Sequence, residues 1–301
     1  MKAEDITLAV CCNKNDYFLA RICIASIRYY YPYATIELVK DSGNGSFNTK
    51  EIERLFNVKI IEFAVKKVGW GAAKFFYLYK FPERKKVLFL DADIVFVGPF
   101  IERLLPQIKK NDYVVSIENV AEPNADWIKK LYFDTKEIEA SFPGYQYPGY
   151  LFNTGQIFMT TGTIEKETLA KFFDLQNYPY WKYPQLFPTV DQSLLNYLLP
   201  TLADAGKINL ATSDFMIWSK STAAKELGLN DIIEKKLDEG LIHWAGDLRT
   251  PELKNMTRPD ILQFFESVYY ERIRFGKMKM VSRKLLPSFI IRLKKIKRWI
   301  K

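Results

Sequence analysis

The chain has 301 residues, 48% hydrophobic and 26% charged, a globular composition with length enough for a substantial core. Its formal charge of +9 suggests nucleic acid, but residues 272–301 hold 12 of the 44 Lys and Arg and no Asp or Glu, leaving 32 basic against 35 acidic residues in the first 271. A near-neutral body with a cationic tail argues against a basic groove, so no nucleic-acid partner is expected. No run approaches the roughly 18 apolar residues of a spanning helix, and the start, Met1-Lys2-Ala3-Glu4-Asp5, has no apolar signal core. Three cysteines, Cys11, Cys12 and Cys23, make a poor disulfide framework and fit a reducing compartment. With one histidine, His243, sites needing two imidazole ligands are excluded.

In chain order, residues 6–12 read as a strand, followed by Asn13, Lys14, Asn15 and Asp16 as a turn and cap. Residues 17–31 read as a helix with Leu19, Cys23, Ile27 and Tyr30 on one face, ending before Pro32. Strands are expected at 35–40 and 58–63, with a loop from Asp41 between them, then a helix at 72–79 and a strand at 87–90. Short runs of this kind are strands buried on both faces. The alternation predicts an α/β fold with an open, mostly parallel twisted sheet flanked by helices. Further on, 152–160 reads as a strand, and 164–173 and 191–199 as helices. Residues 123–150 and 177–189, dense in aromatics, Pro and Gly, read as long ordered loops. Their rings either pack against the body or offer a stacking surface to a ring-bearing substrate.

The chemistry concentrates in two places. Asp91 and Asp93 leave the apolar strand at its C-terminal end, where open α/β sheets place ligands. In extended chain they point the same way. Two such carboxylates repel unless a cation lies between them, and hard oxygens suit Mg²⁺ or Mn²⁺. In the second, His243 ends a run of apolar residues, Gly246 allows close backbone approach, and Arg249 adds a cation suited to phosphate. A half-buried, hydrogen-bonded histidine is the plainer account of His243.

Taken together these residues resemble a family. The sequence is similar to glycosyltransferases of the GT-A fold, most of all family 8 of the retaining enzymes, which includes glycogenin and bacterial lipopolysaccharide galactosyl- and glucosyltransferases. Four family motifs are matched in order: Leu88-Phe89-Leu90-Asp91-Ala92-Asp93, Phe152-Asn153-Thr154-Gly155, Asp191-Gln192-Ser193-Leu194-Leu195-Asn196, and His243-Trp244-Ala245-Gly246-Asp247-Leu248-Arg249, with Arg in the place of Lys. The resemblance implies that Asp91, Asp93 and His243 hold a divalent metal that bridges the donor's diphosphate. That ligand set leans toward Mn²⁺ over Mg²⁺. It implies that Lys74 reaches the diphosphate or sugar, that Asn153 and Asp191 contact sugar hydroxyls, and that Gln192 lies near the reacting face of the anomeric carbon. Asp191 and Gln192 are thus the catalytic candidates. Arg249 would neutralise the leaving phosphate beside Gly246, and Asn13, Asn15, Asp16 and Tyr17 would meet uridine and ribose. Simpler roles stand beside these: a surface lysine for Lys74, a bulge cap for Asn153, a helix cap for Asp191.

In the tail, Phe289, Leu293, Ile296 and Ile300 make one helical stripe among Lys and Arg, with Trp299 beside it. This basic amphipathic helix suits an anionic membrane surface or docks on the body. The expected organisation is a body over 1–271 and a tail over 272–301. The expected function is transfer of a sugar from a nucleotide-sugar donor, UDP-linked, to a saccharide or lipid-linked saccharide, on the cytoplasmic face of a membrane. Two alternatives remain. A nucleotidyltransferase usually has a Gly-rich loop after its first strand, where this chain has none. The other is a non-catalytic membrane-surface binding module.

Overall fold

A computed structural model of the chain describes residues 1–63, 69, 71–118, 122, 124–174, 181–238 and 240–281. The first half alternates as the pattern predicts: β1 (Thr7–Cys12), α1 (Tyr17–Tyr30), β2 (Ile36–Lys40), α2 (Lys50–Phe56), β3 (Val58–Ile61), α3 (Ala73–Lys80) and β4 (Lys86–Asp91). Next come β5 (Ile94–Phe96), α4 (Ile101–Lys110), β6 (Tyr113–Glu118), α5 (Asp126–Leu131), α6 (Thr135–Ser141), β7 (Leu151–Thr160), α7 (Lys166–Phe172) and α8 (Val190–Asp204). The rest is β8 (Leu210–Thr212), β9 (Met216–Trp218), α9 (Thr222–Glu226), α10 (Leu229–Ile233), β10 (Leu241–His243) and α11 (Pro259–Glu271).

Seven strands form one sheet in the order β3-β2-β1-β4-β7-β6-β8. Only β7 runs against the others, pairing antiparallel with β4 and β6. The strand order reverses between β1 and β4, and a ligand crevice opens beyond the carboxyl ends of strands at such a point. Because β7 is reversed, its start, with Asn153 and Gly155, lies at that same edge.

Both faces of the sheet are covered, which is why its central strands read as unbroken apolar runs. On one face Leu8, Val10, Leu88 and Leu90 pack with Leu19, Cys23 and Ile27 of α1. There α11 lies on α1, with Tyr29 edge-on to Phe264 and Phe265. On the other face Ala9, Val87 and Phe89 pack with Phe75 of α3 and Leu194, Leu195 and Leu198 of α8. A three-stranded sheet, β5-β10-β9, stands on the α1 side.

The expected loop at 123–150 is only partly a loop. It contains α5 and α6, and Asp134 caps α6 by accepting from the backbone N–H groups of Lys136 and Glu137. These helices are too short to show a periodic stripe among so many aromatics. The rings of this region mostly pack inward: Phe142 lies 4.9 Å from Tyr197 and 5.9 Å from Phe187, centroid to centroid. The chain turns at Ala92–Asp93 and restarts as β5, so Asp91 and Asp93 do not share one extended segment. The helix expected at 191–199 continues to Asp204, with Pro200 inside it. The amphipathic stripe of the tail lies outside the described residues.

Candidate active site

Two cavities meet at the crevice. The larger, about 890 Å³, is lined by Asp91, Glu118, Asn153, Asp191, Gln192, His243, Gly246 and Arg249 among others. The smaller, about 150 Å³, lies over the end of β1 and is lined by Asn13, Asp16, Asp41, Asp91, Asp93 and Arg249. Asp91 and Arg249 belong to both.

Strand pairing assembles the acidic centre. β10 pairs antiparallel with β5 so that His243 lies opposite Ile94, and the Trp244 N–H donates to the Asp93 carbonyl over 3.0 Å. One ligand atom from each of Asp91, Asp93 and His243 falls within 4.8 Å of the others. His243 is 2% exposed, its Nε2 is 3.4 Å from Asp93 Oδ1, and neither ring nitrogen has a hydrogen-bond partner. A buried imidazole left this way is costly, and a cation satisfies it. β9 lies on the other side of β10, so the Trp218 ring stacks on the imidazole at 5.5 Å and 13°. Gly155 makes the space: a Cβ there would stand 2.2 Å from His243 Cε1. The donor set of two carboxylates and one imidazole therefore fits a divalent metal.

Two sets of ion pairs flank this centre. Lys74, 1% exposed, donates to the Thr154 carbonyl and to Asp191 Oδ2, each over 2.5 Å, and lies 3.1 Å from Asp91 Oδ1. Two ammonium protons thus have hydrogen-bond acceptors, and the Asp91 carboxylate adds an ion pair. Lys74 sits beneath the cleft and ties two carboxylates together, where the resemblance expected it to face a diphosphate. Gly71 permits this by letting α3 approach α8, since a Cβ there would meet the Val190 Cβ at 2.6 Å. Burial would lower the Lys74 pKa, but the Asp191 and Asp91 carboxylates hold it above its usual value. Burial raises Asp91, offset in part by Lys74. Burial also pushes Asp93 up, yet His243 and Arg249 outweigh it and hold that carboxyl down to about 2. Arg249 places one nitrogen 2.7 Å from Asp93 Oδ2 and another 3.1 Å from Asp16 Oδ2.

Gln192 is braced on every side. Its Oε1 accepts from the Thr154 N–H (2.9 Å) and lies 2.8 Å from the Thr154 hydroxyl, and its Nε2 donates to the Phe152 carbonyl (3.1 Å). The single Thr154 hydroxyl proton is shared between Gln192 Oε1 and Asp191 Oδ2, and Gln192 lines the large cavity beside Asp191. Asp191 differs: Oδ1 is buried without a partner, although Oδ2 is held by Lys74 and by the Thr154 hydroxyl. Asn153 turns its Oδ1 to the Gly155 N–H at 2.8 Å and still lines the cleft.

The turn after β1 divides. Asn13 and Asp16 line the small cavity, and Asn13 closes the turn by accepting from the N–H groups of Asn15 and Asp16 and donating to the Asp16 carboxylate. Asn15 is exposed, and Tyr17 turns to Phe47, so neither reaches this cavity. Asp16 gives its carboxylate to Asn13 and Arg249, and makes no side-chain cap of α1.

The reading of the sequence missed three groups. Asp41, 2% exposed, accepts from the N–H groups of Gly43 and Gly69 and lines the small cavity. Glu118 ends β6 in the large cavity; burial raises its carboxyl, offset in part by hydrogen bonds with Tyr132 and Asn153. Tyr132 itself is the third. A carboxylate directly after an apolar strand marks Asp41 and Glu118 as it marks Asp91, and applying that rule to every strand finds both.

No protein-family profile matches the chain, and no curated protein matches it in sequence. Solved structures do match. The apo structure of the bifunctional glycosyltransferase WbbM aligns over 94% of this chain and 52% of its own, at 15% identity and a TM-score of 0.60. The apo form of the glycosyltransferase GlyE of Streptococcus pneumoniae TIGR4 aligns over 89% of this chain and 62% of its own, at 13% identity and a TM-score of 0.51. The chain thus spans about half the length of WbbM and under two thirds of GlyE. At such identities the likeness is one of architecture, and the chain has a GT-A-like glycosyltransferase fold.

Proposed function

We propose that the chain is a metal-dependent glycosyltransferase moving a sugar from a UDP-linked donor to a saccharide acceptor, with retention at the anomeric carbon. One observation carries this: the Asp91–Asp93–His243 cluster stands where two cavities meet, a small one over the end of β1 and a large one beyond the ends of β4 and β6. Asp91, Asp93 and His243 would hold Mn²⁺ or Mg²⁺, which supplies positive charge toward a diphosphate. The chain's own residues do the rest. Asn13, Asp16 and Asp41 offer polar contacts to a nucleoside in the small cavity. Arg249, shared by both cavities, exchanges its carboxylate partners for phosphate oxygens and stabilises the leaving group. Asn153 and the open backbone at Gly246 (φ +70°) meet the donor sugar. Lys74 fixes Asp191 on the sugar side, where its free Oδ1 supports positive charge growing on the anomeric carbon. Gln192 accepts from the Thr154 N–H and lines the sugar side of the cleft beside Asp191.

The test is hydrolysis of UDP-sugars with Mn²⁺, together with UDP binding with and without the metal. Turnover of one donor that Asp93→Ala abolishes is the expected result. No turnover of any UDP-sugar and no metal-dependent UDP binding would sink the reading.

The cationic tail belongs to the same proposal as a peripheral anchor to the anionic inner face of a membrane, where a lipid-linked acceptor is presented. Its first residues support this: Phe275, Met278 and Val281 are 64%, 71% and 51% exposed beside Lys277 and Lys279. Among the described residues no helix is long and apolar enough to cross a membrane. Removing residues 282–301 should release the protein from anionic vesicles, and equal binding without them refutes the anchor.

A further inference from the structure

The wall of the large cavity opposite His243 carries exposed apolar side chains that the proposed donor chemistry does not use. Trp127 is 50% exposed, Leu131 48% and Ile117 41%, and all three line the cavity. Tryptophan is normally well buried, and clustered exposed apolar residues inside a polar rim mark a binding surface. The helix α5 explains the arrangement. Ile128, with Tyr132 just past the helix end, turns inward to the core, while Trp127 and Leu131, also four apart, turn outward.

This face is held in place relative to the reacting groups. The Thr189 hydroxyl donates to the Leu131 carbonyl, joining the end of α5 to the start of the helix that carries Asp191. Tyr132, next in the chain, lines the same cavity as Glu118 and Gln192. The apolar face thus lies beside a carboxyl, a phenol and two carboxamides. A pyranose has that same division, with a flat C–H face and hydroxyls at its edge.

Charge narrows the ligand. Asp91 and Asp191 are paired with Lys74 beneath the cavity, and the one cation among its described lining residues, Arg249, is engaged with Asp16 and Asp93, so Glu118 and Asp214 line the cavity with no cation left to meet an anionic sugar. An anionic sugar would enter a field of its own sign.

We propose that Trp127 and Leu131 form the acceptor subsite and that its occupant is an uncharged pyranose, its C–H face on the indole and a hydroxyl on Glu118. The assignment to the acceptor rests on the transferase reading; the sugar-binding subsite does not. Trp127 sets which acceptors are taken, through its flat face, and Glu118 orients the one that binds.

Saturation-transfer NMR tests it on the full chain with UDP and Mn²⁺. The probes are methyl glucoside, galactoside, mannoside and N-acetylglucosaminide, set against methyl glucuronide and glucose 6-phosphate. At least one neutral glycoside should receive saturation on the ring protons of one face. Trp127→Ala should weaken that binding by at least about tenfold, while Trp127→Phe, which keeps a flat ring, retains most of it. Because Trp127 is half exposed, its truncation leaves the core intact, which a matching melting temperature verifies. Undiminished binding in Trp127→Ala overturns the proposal, as does equal binding of the charged sugars or no binding of any neutral one. Sugar binding without donor turnover sinks the transferase reading and leaves the subsite standing; turnover with binding indifferent to Trp127 does the reverse.

Discussion

At the floor of the cleft lie two sets of ion pairs, Lys74 with Asp91 and Asp191 and Arg249 with Asp93 and Asp16, with Lys74, Asp93 and Asp191 almost wholly buried. On the wall built by α5, Trp127 and Leu131 stand half exposed to the open cavity. The two regions lie a short way apart and obey different physics. Buried charges tolerate almost no rearrangement, because each unpaired one forfeits its solvation. An apolar face at the rim is cheap to change and loses only contact area. Floor and wall therefore suit different tasks: fixing a charged, chemically uniform group, and discriminating among neutral ones.

The largest expected effect is at the floor. Asp93→Ala removes a carboxylate of the candidate metal cluster and leaves Arg249 paired with Asp16 alone, so donor hydrolysis should fall by about 10³-fold or more. A change under tenfold in a steady-state assay would show that the cluster is not the reacting centre. Lys74→Met leaves Asp91 and Asp191 facing each other in the interior and should cost about 3–5 kcal/mol of stability, read from denaturant melts. The pH sign follows. Carboxyls raised by burial contribute stability below their unfolded pKa and lose it as pH rises through the folded one, so this variant should be more stable at mildly acidic than at alkaline pH.

Gly155→Ala probes the imidazole chiefly, since the added Cβ would stand 2.2 Å from His243 Cε1 and 2.9 Å from Asn153 Oδ1. Its methyl displaces His243, and Mn²⁺ affinity by calorimetry should fall about 10- to 100-fold with the fold retained. Asp247→Asn is the mildest of these. Asp247 anchors the loop between Gly246 and Arg249 through Ser219, Thr257 and Lys220, and these partners hold its carboxyl below the usual range although burial raises it. Its contribution is present above the unfolded pKa and lost as pH falls. The substitution should cost about 1 kcal/mol in a melt, since Lys220 is 59% exposed and screened by solvent. No loss at neutral pH would mean that the loop is held by other contacts.

Much of the fold was legible because central strands and their covering helices carry one-dimensional signals. The run from Val87 to Leu90 and the stripe Leu19, Cys23, Ile27 report burial directly. The short helices α5 and α6 were hidden because about two turns are too few to establish a period against aromatic residues packing by shape. Of the candidate residues, Asp91, Asp93, His243, Asn153, Asp191, Gly246 and Arg249 come together at the cavity, whereas Asn15 and Tyr17 stand apart from it because the turn after β1 points them outward.

The sequence by itself determined the alternation of strands and helices, the placing of a carboxylate pair at a strand end, and the gathering of positive charge into the last 30 residues, since periodicity and composition are local quantities. Tertiary structure alone decided that Lys74 lies beneath the cleft, that Gln192 is tied to the strand carrying Phe152 and Thr154, and that His243 meets Asp93 across 150 residues of chain through a three-residue pairing. Hydrogen bonds and ion pairs depend on distances of a few ångströms between elements remote in sequence, and strand register sets those distances.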